Sequence, residues 1–137
     1  MRLNSLVPGL EGDAGEQSIT GFAIDHRKIA PGNIFGAFRG AKFNGEEFIE
    51  AAVAAGAIAI VALPEARVEG AVHVADEEPR RLFAQMAARY FTPTPTHVAA
   101  VTGTNGKTSI AELTRQLWRM DGYNSASIGT LGVTTAD

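Results

Sequence analysis

The residues best able to do chemistry lie together in 101–109, VTGTNGKTS. Two glycines flank a polar pair, and a lysine and two hydroxyls follow without a break. Holding a phosphate at a strand-to-helix turn needs backbone N–H groups free to point inward, which glycine permits by accepting unusual backbone angles. It needs a helix N-terminus, whose unpaired donors and dipole favour an anion. It also needs a cation and a hydroxyl. Lys107 would neutralise the β- and γ-phosphates of a nucleotide, and Thr108 would ligate Mg2+. Gly103, Thr104, Asn105, Gly106, Lys107, Thr108 and Ser109 are therefore the candidate nucleotide-phosphate-binding residues.

The usual spacing of such a loop is G-x-x-x-x-G-K-[ST]. Val101 stands where the first glycine belongs, which leaves G-x-x-G-K-T from Gly103. The competing reading is a tight turn with Lys107 as a solvated residue. A lysine in a first helical turn opposes the helix dipole, and a purely structural turn would not favour it. Asn105 has two open roles, contact with a ligand or tolerance of a left-handed turn angle. Ser109 serves the helix start rather than the metal.

These residues need elements to position them. The pattern predicts a strand over 97–102, the glycine loop, a helix over 107–121 and a strand over 125–128. Ile110, Leu113, Leu117 and Met120 give that helix an apolar stripe. Together they make one βαβ module. A single module cannot cover its own apolar faces, because parallel sheets need helices on both sides. Just upstream, TPTPT at 92–96 cannot continue a helix, since proline lacks a donor and forces extended geometry. A boundary is expected there, with 1–91 as one domain, 92–96 as linker and 97–137 as the opening of a second.

In the first domain, 1–15 carries Gly9, Gly12 and Gly15 and reads as a loose loop region. Ile19, Phe22, Ile24, Ile29, Ile34, Phe35 and Phe38, broken by the turn Pro31-Gly32, predict two or three short strands. Asn44-Gly45 opens a helix with Phe48, Ile49, Ala52 and Val53 on one face and Gly56 as its C-cap glycine. A buried strand over 57–63 and a short strand over 71–75 follow. Asp76, Glu77, Glu78 and Pro79 then start a helix whose apolar face is Leu82, Phe83, Met86 and Tyr90. The class is α/β.

Composition sets limits. With 45% hydrophobic and 20% charged residues the chain can build a core. A net charge of −3 argues against a general nucleic-acid binder. The absence of cysteine excludes disulfides and thiolate metal sites. No apolar run is long enough for a signal peptide or a membrane span, so a soluble, cytoplasmic protein without membrane insertion is expected.

Residues 101–109 resemble the phosphate loop of the Mur ligase family, the ATP-dependent amide-forming enzymes of peptidoglycan precursor synthesis. Its shortened form, G-T-x-G-K-[ST], accounts for Val101. Asp25-His26-Arg27 followed by Ala30-Pro31-Gly32-Asn33-Ile34-Phe35 resembles the family's D-S-R-x-x-x-P-G-D-L-F segment. Gly40-Ala41-Lys42-Phe43-Asn44-Gly45 and Phe48-Ile49, then Ala51-Ala52, Gly56-Ala57 and Ala59-Ile60-Val61, match the helix and strand that follow it. Ile128-Gly129-Thr130-Leu131-Gly132 is similar to the I-G-T-L-G of the member that adds the third stem-peptide amino acid.

The resemblance implies a small N-terminal α/β domain that binds the UDP end of the substrate. The start of a P-loop parallel-sheet ATPase-type domain follows, incomplete here, so the chain reads as the N-terminal piece of a longer ligase, monomeric at full length. It implies ATP and Mg2+, with ATP held by 103–109 and Lys107 and Thr108 in the catalytic positions. The substrates would be UDP-N-acetylmuramoyl-dipeptide and a diamino acid, either meso-diaminopimelate or L-lysine. Ile24, His26, Ala41, Lys42 and Phe43 would contact the UDP-muramoyl substrate.

Two departures matter. His26 replaces the family serine; imidazole still donates or accepts one hydrogen bond but is bulkier. Contact with the ligand and a surface role are both open for it. Asn44-Gly45 replaces D-G, which keeps the turn and loses a charge. Asp25 and Arg27 read as a local ion pair organising a turn, and Lys42 as solvated or near the diphosphate. His73, His97, Arg80, Arg81, Glu46 and Glu47 read as strand and solvated helix-face residues. The 137-residue chain alone is expected neither to hydrolyse ATP at a useful rate nor to ligate. The alternatives are another P-loop ATPase or regulatory nucleotide-binding protein, another Mur ligase family member, or a stand-alone binding module. The incomplete sheet argues against the last.

Overall fold

The structure is a computed structural model that describes residues 1–41 and 43–135. The chain divides into two compact units, Met1–Thr94 and Pro95–Asp137.

In the first unit, strands β1 (Gly21–Ala23), β2 (Asn33–Gly36), β3 (Ala59–Ala62) and β4 (Val72–Ala75) form one sheet in sequence order. Every neighbouring pair is parallel, with Phe22 opposite Ile34, Phe35 opposite Ile60 and Val61 opposite Val74. Side chains alternate between faces of a strand, and the core divides accordingly. Ile34, Ala59, Val61 and Val74 pack with Met86 of helix α3 (Pro79–Tyr90). Phe35, Ile60 and Ala62 pack with Ile49 and Ala52 of helix α2 (Ile49–Ala54). A parallel sheet is stable only when both faces are covered, and here both are. The α/β expectation holds.

The turn chemistry works as its residue types require. A 3-10 turn, Gly45–Phe48, precedes α2, and the Asn44 side chain accepts from Glu46 N at 3.2 Å. Gly56 ends the helical segment with φ +103°, and a Cβ there would lie 2.8 Å from Pro31 Cα. Ahead of α3, Asp76 Oδ1 accepts from Glu78 N at 2.7 Å, and Pro79 occupies the first turn.

The first fifteen residues are not a loose loop. Leu3 and Leu6 are 0% and 2% exposed, in the cluster under α3. Leu3 N donates to Gln17 O at 3.0 Å and Ile19 N to Met1 O at 2.9 Å. A short helix α1 (Asp13–Glu16) lies between. The glycines mark turns, while the leucines cover apolar sheet surface that α3 leaves open.

In the second unit, helix α4 (Lys107–Met120) is followed by an antiparallel hairpin, β5 (Ser127–Gly129) and β6 (Gly132–Thr134). Two expectations need correction. Residues 97–102 form no strand, because a strand exists only where a neighbour satisfies its backbone groups. β5 pairs with β6 across the turn at Thr130-Leu131, and so short a connection permits only antiparallel pairing, not a βαβ unit. The apolar stripe of α4 is uncovered, as a module that cannot cover its own apolar faces requires, from 52% exposed at Ile110 to 83% at Met120, while Arg115 is 8% exposed. No helix among the described residues is long and apolar enough to cross a membrane.

Candidate functional site

The glycine loop leads directly into α4. Gly103 has φ +143°, and Gly106, the N-cap, has φ +76° and ψ −2°. A Cβ on Gly106 would meet nothing within 4 Å, so backbone conformation rather than crowding demands glycine. Gly106 provides no side-chain cap for the first-turn N–H groups of α4. Lys107 Nζ donates to Gly103 O at 2.5 Å and Thr104 O at 3.4 Å, which holds the ammonium against the loop. Asn105 is not left-handed, since no non-glycine residue described has positive φ; that role for it is excluded. Ser109 is exposed in the first turn. Free backbone donors, a local cation and a hydroxyl together make an anion cradle.

Thr108, Glu112 and Arg115 follow one another along one face of α4, at the i, i+4, i+7 spacing of a helix. Each meets the β5–β6 segment. Thr108 Oγ1 lies 3.1 Å from Thr130 Oγ1 at the hairpin turn. Ser127 Oγ donates to Glu112 Oε2 at 3.1 Å, and Arg115 Nη1 donates to Thr135 O at 3.3 Å. Ser125 Oγ donates to the Arg115 carbonyl at 2.8 Å. Arg115 also grips Glu112, at 3.0 Å from Nε and 2.5 Å from Nη2. These donors, Arg115 first and Gln116 second, lower the Glu112 pKa from 4.5 to about 2.

Thr130 is the residue that reading the sequence for chemistry passes over. It stands 22 positions from Thr108, inside I-G-T-L-G, and only the return of the chain after α4 brings the two hydroxyls together. Among the described residues no three His, Cys, Asp or Glu side chains gather as a metal-binding group. The donor set here, one hydroxyl beside a phosphate cradle, suits Mg2+ held mainly by phosphate oxygens.

The candidate substrate residues emerge at the carboxyl ends of β1 and β2, the edge where open α/β sheets bind ligands. After β1, Ile24 is 70% exposed. Asp25 takes Arg27 in a bidentate grip, Nε at 2.9 Å and Nη2 at 2.8 Å, and Arg27 N donates at 3.1 Å. Arg27 thereby holds the Asp25 carboxyl well below the usual carboxylate range. The pair organises the turn, as read. His26 is half-buried, stacked on Phe48 with ring centroids 4.3 Å apart. After β2, a small hairpin is closed by the Arg39–Asn44 bridge and by Gly40 N donating to Phe43 O at 2.8 Å. Ala41 and Phe43 are exposed near its tip. Lys42 lies outside the described residues.

Glu46 departs from its expected solvated role. Its side chain is 13% exposed and pairs with Arg39 at 2.9 Å, and Arg39 also reaches Glu65 at 2.9 Å. One guanidinium thus ties three loops of that edge together. Arg80 lies over the Phe38 ring, 5.0 Å from its centroid, and Arg81 pairs with Glu78. His73 Nε2 lies 3.2 Å from Leu63 O within the sheet.

Comparison with known proteins places these features in context. Residues 18–115 match the Mur ligase family, catalytic domain. Over 128 residues the chain is 62% identical to the UDP-N-acetylmuramoyl-L-alanyl-D-glutamate--2,6-diaminopimelate ligase of Zymomonas mobilis subsp. mobilis, covering 93% of this chain and 26% of that protein. The like-named protein of Bradyrhizobium diazoefficiens is 45% identical, with 98% and 28% covered. Among solved structures, a ligase of the same name superposes with TM-score 0.77 at 31% identity, covering 98% of this chain and 28% of that one. MurF ligase from Thermotoga maritima in complex with ADP gives TM-score 0.62 at 25% identity, with 83% and 26% covered. The chain therefore spans about a quarter of the length of the curated relatives it matches. On sequence and on fold alike, it belongs to the Mur ligase family.

Proposed function

We propose that this chain supplies the UDP-substrate domain and the ATP phosphate loop of a ligase of peptidoglycan precursor synthesis. The enzyme would join meso-diaminopimelate to UDP-N-acetylmuramoyl-L-alanyl-D-glutamate. The observation that carries the reading is the junction at Gly106, Lys107 and Thr108, where a left-handed glycine opens an uncapped helix onto a lysine and a hydroxyl. The names of relatives at 62% and 45% identity supply the substrates. Residues 1–91 would serve the substrate, 92–96 would link, and 97–137 would begin the ATP-binding domain.

An amine does not displace hydroxide from a carboxylate at neutral pH, so the carboxyl must first gain a leaving group. A side-chain carboxylate oxygen of the D-glutamyl residue attacks the γ-phosphorus of ATP, and ADP departs. The amine then attacks the acyl carbon, expels phosphate and releases a proton to solvent. This chain's part is positioning and charge neutralisation. Backbone donors from Gly103 to Ser109 would receive phosphate oxygens, Lys107 would offset charge on the γ-phosphate, and Thr108 would supply one oxygen to Mg2+. Mg2+, when bound, neutralises developing phosphate charge. At the sheet edge, Ile24, His26, Ala41, Lys42 and Phe43 would receive the UDP-muramoyl end.

The test is phosphate release by the complete ligase carrying this chain, supplied with ATP, UDP-muramoyl dipeptide and either diaminopimelate or L-lysine. Release that requires the dipeptide and prefers diaminopimelate is expected. ATP turnover indifferent to the dipeptide would indicate a different P-loop ATPase, and preference for lysine would overturn the choice of amine.

A further inference from the structure

We infer that Thr130 is a positioning residue for the metal-bound form of the nucleotide, acting through the hydroxyl of Thr108. The inference deepens the reading of the glycine loop as an ATP site and rests on it.

A hydroxyl that ligates a cation must turn a lone pair toward the metal and send its proton elsewhere. A threonine in a helix ordinarily bonds back to the carbonyl four residues earlier. Thr114, in the same helix, does so, with Oγ1 donating to Ile110 O at 2.8 Å. Thr108, in the first turn, has no helical carbonyl four residues earlier, and its hydroxyl meets Thr130 Oγ1 at 3.1 Å. The carbonyl four residues before it, Thr104 O, is instead approached by Lys107 Nζ. With Thr130 as acceptor, the Thr108 proton points to the hairpin and its lone pairs stay free.

Thr130 is also held where this requires. The hairpin that carries it is fastened to α4 by two further rungs, Ser127 on Glu112 and Thr135 on Arg115. Helix and hairpin are thus joined at the helix start and again further along α4. A side chain serving only the turn would need no partner on α4, and its neighbour Leu131 is 78% exposed.

The experiment measures ADP affinity by calorimetry with and without Mg2+, in the complete ligase and in its Thr130→Val and Thr130→Ser forms. Valine keeps the β-branched shape and removes the hydroxyl. The expected result is a loss of about fivefold in affinity for the nucleotide with Mg2+, the effect of one hydrogen bond, and none without it. Serine restores the wild-type difference. Should valine fail to fold, Thr130→Ala is read the same way. An unchanged Mg2+ dependence, an equal loss with and without the metal, or no rescue by serine overturns the inference while leaving the ATP site standing. A wild type that binds no ADP in either condition overturns the ATP site itself, and this inference with it.

Discussion

The imidazole of His26 lies flat on the ring of Phe48, with planes 4° from parallel and centroids 4.3 Å apart. The stack joins the loop after β1 to the 3-10 turn before α2, two segments of the proposed substrate edge. One ring face is therefore engaged with Phe48, and the ring nitrogens remain to meet a ligand. His26→Ala is expected to lower stability by about 1 kcal/mol, the range of an aromatic pair. Urea unfolding checks this, and an unchanged midpoint would mean the stack contributes nothing.

Lys107 is the cation of the glycine loop. In the complete ligase, Lys107→Ala should reduce phosphate release by about two orders of magnitude or more, because charge stabilisation at the transferred phosphoryl group is lost. Binding of UDP-muramoyl dipeptide, measured by calorimetry, should remain. Comparable loss of both would show that one element serves both ligands and would sink the division of labour proposed for 1–91 and 97–137.

Glu112 links α4 to the hairpin through Arg115 and Ser127. Its pKa is lowered in the folded state, from 4.5 to about 2. The stabilisation it brings is thus fully present above pH 4.5 and is lost as pH falls toward 2. A carboxyl-carbon NMR titration of Glu112 should give a midpoint near that lower value, and Glu112→Gln should remove this part of the acid dependence. A midpoint above pH 4 would mean that the ion pair does not form in solution.

Leu3 and Leu117 form a contrasting pair. Leu3 is 0% exposed under α3, so Leu3→Ala should destabilise the first unit by about 3 kcal/mol. Leu117 is 63% exposed on α4, so Leu117→Ala should shift the 137-residue chain by less than about 1 kcal/mol. Chemical denaturation of both variants decides the matter. A small effect at Leu3 would mean that the N-terminal segment is not anchored.

Local chemistry determined much of this protein in advance. Short apolar stretches in β2 and β3, the asparagine and glycine around α2, and proline at the start of α3 act within a few residues of themselves. Their consequences could be read in order along the chain. The glycine–lysine–threonine loop belongs to the same class, because one turn and one helix start contain all its parts. Tertiary structure decided the rest. Leu3 and Leu6 became core only because a sheet face lay open nearby, and 97–102 remained unpaired because pairing requires a neighbour that no local pattern can supply. On α4 it is Arg115 that is buried, with Thr135 of the hairpin as a partner, while the apolar stripe is exposed. The meeting of Thr108 with Thr130 is of this second kind. Hydroxyls 22 residues apart are neighbours only once a helix and a hairpin have folded against each other.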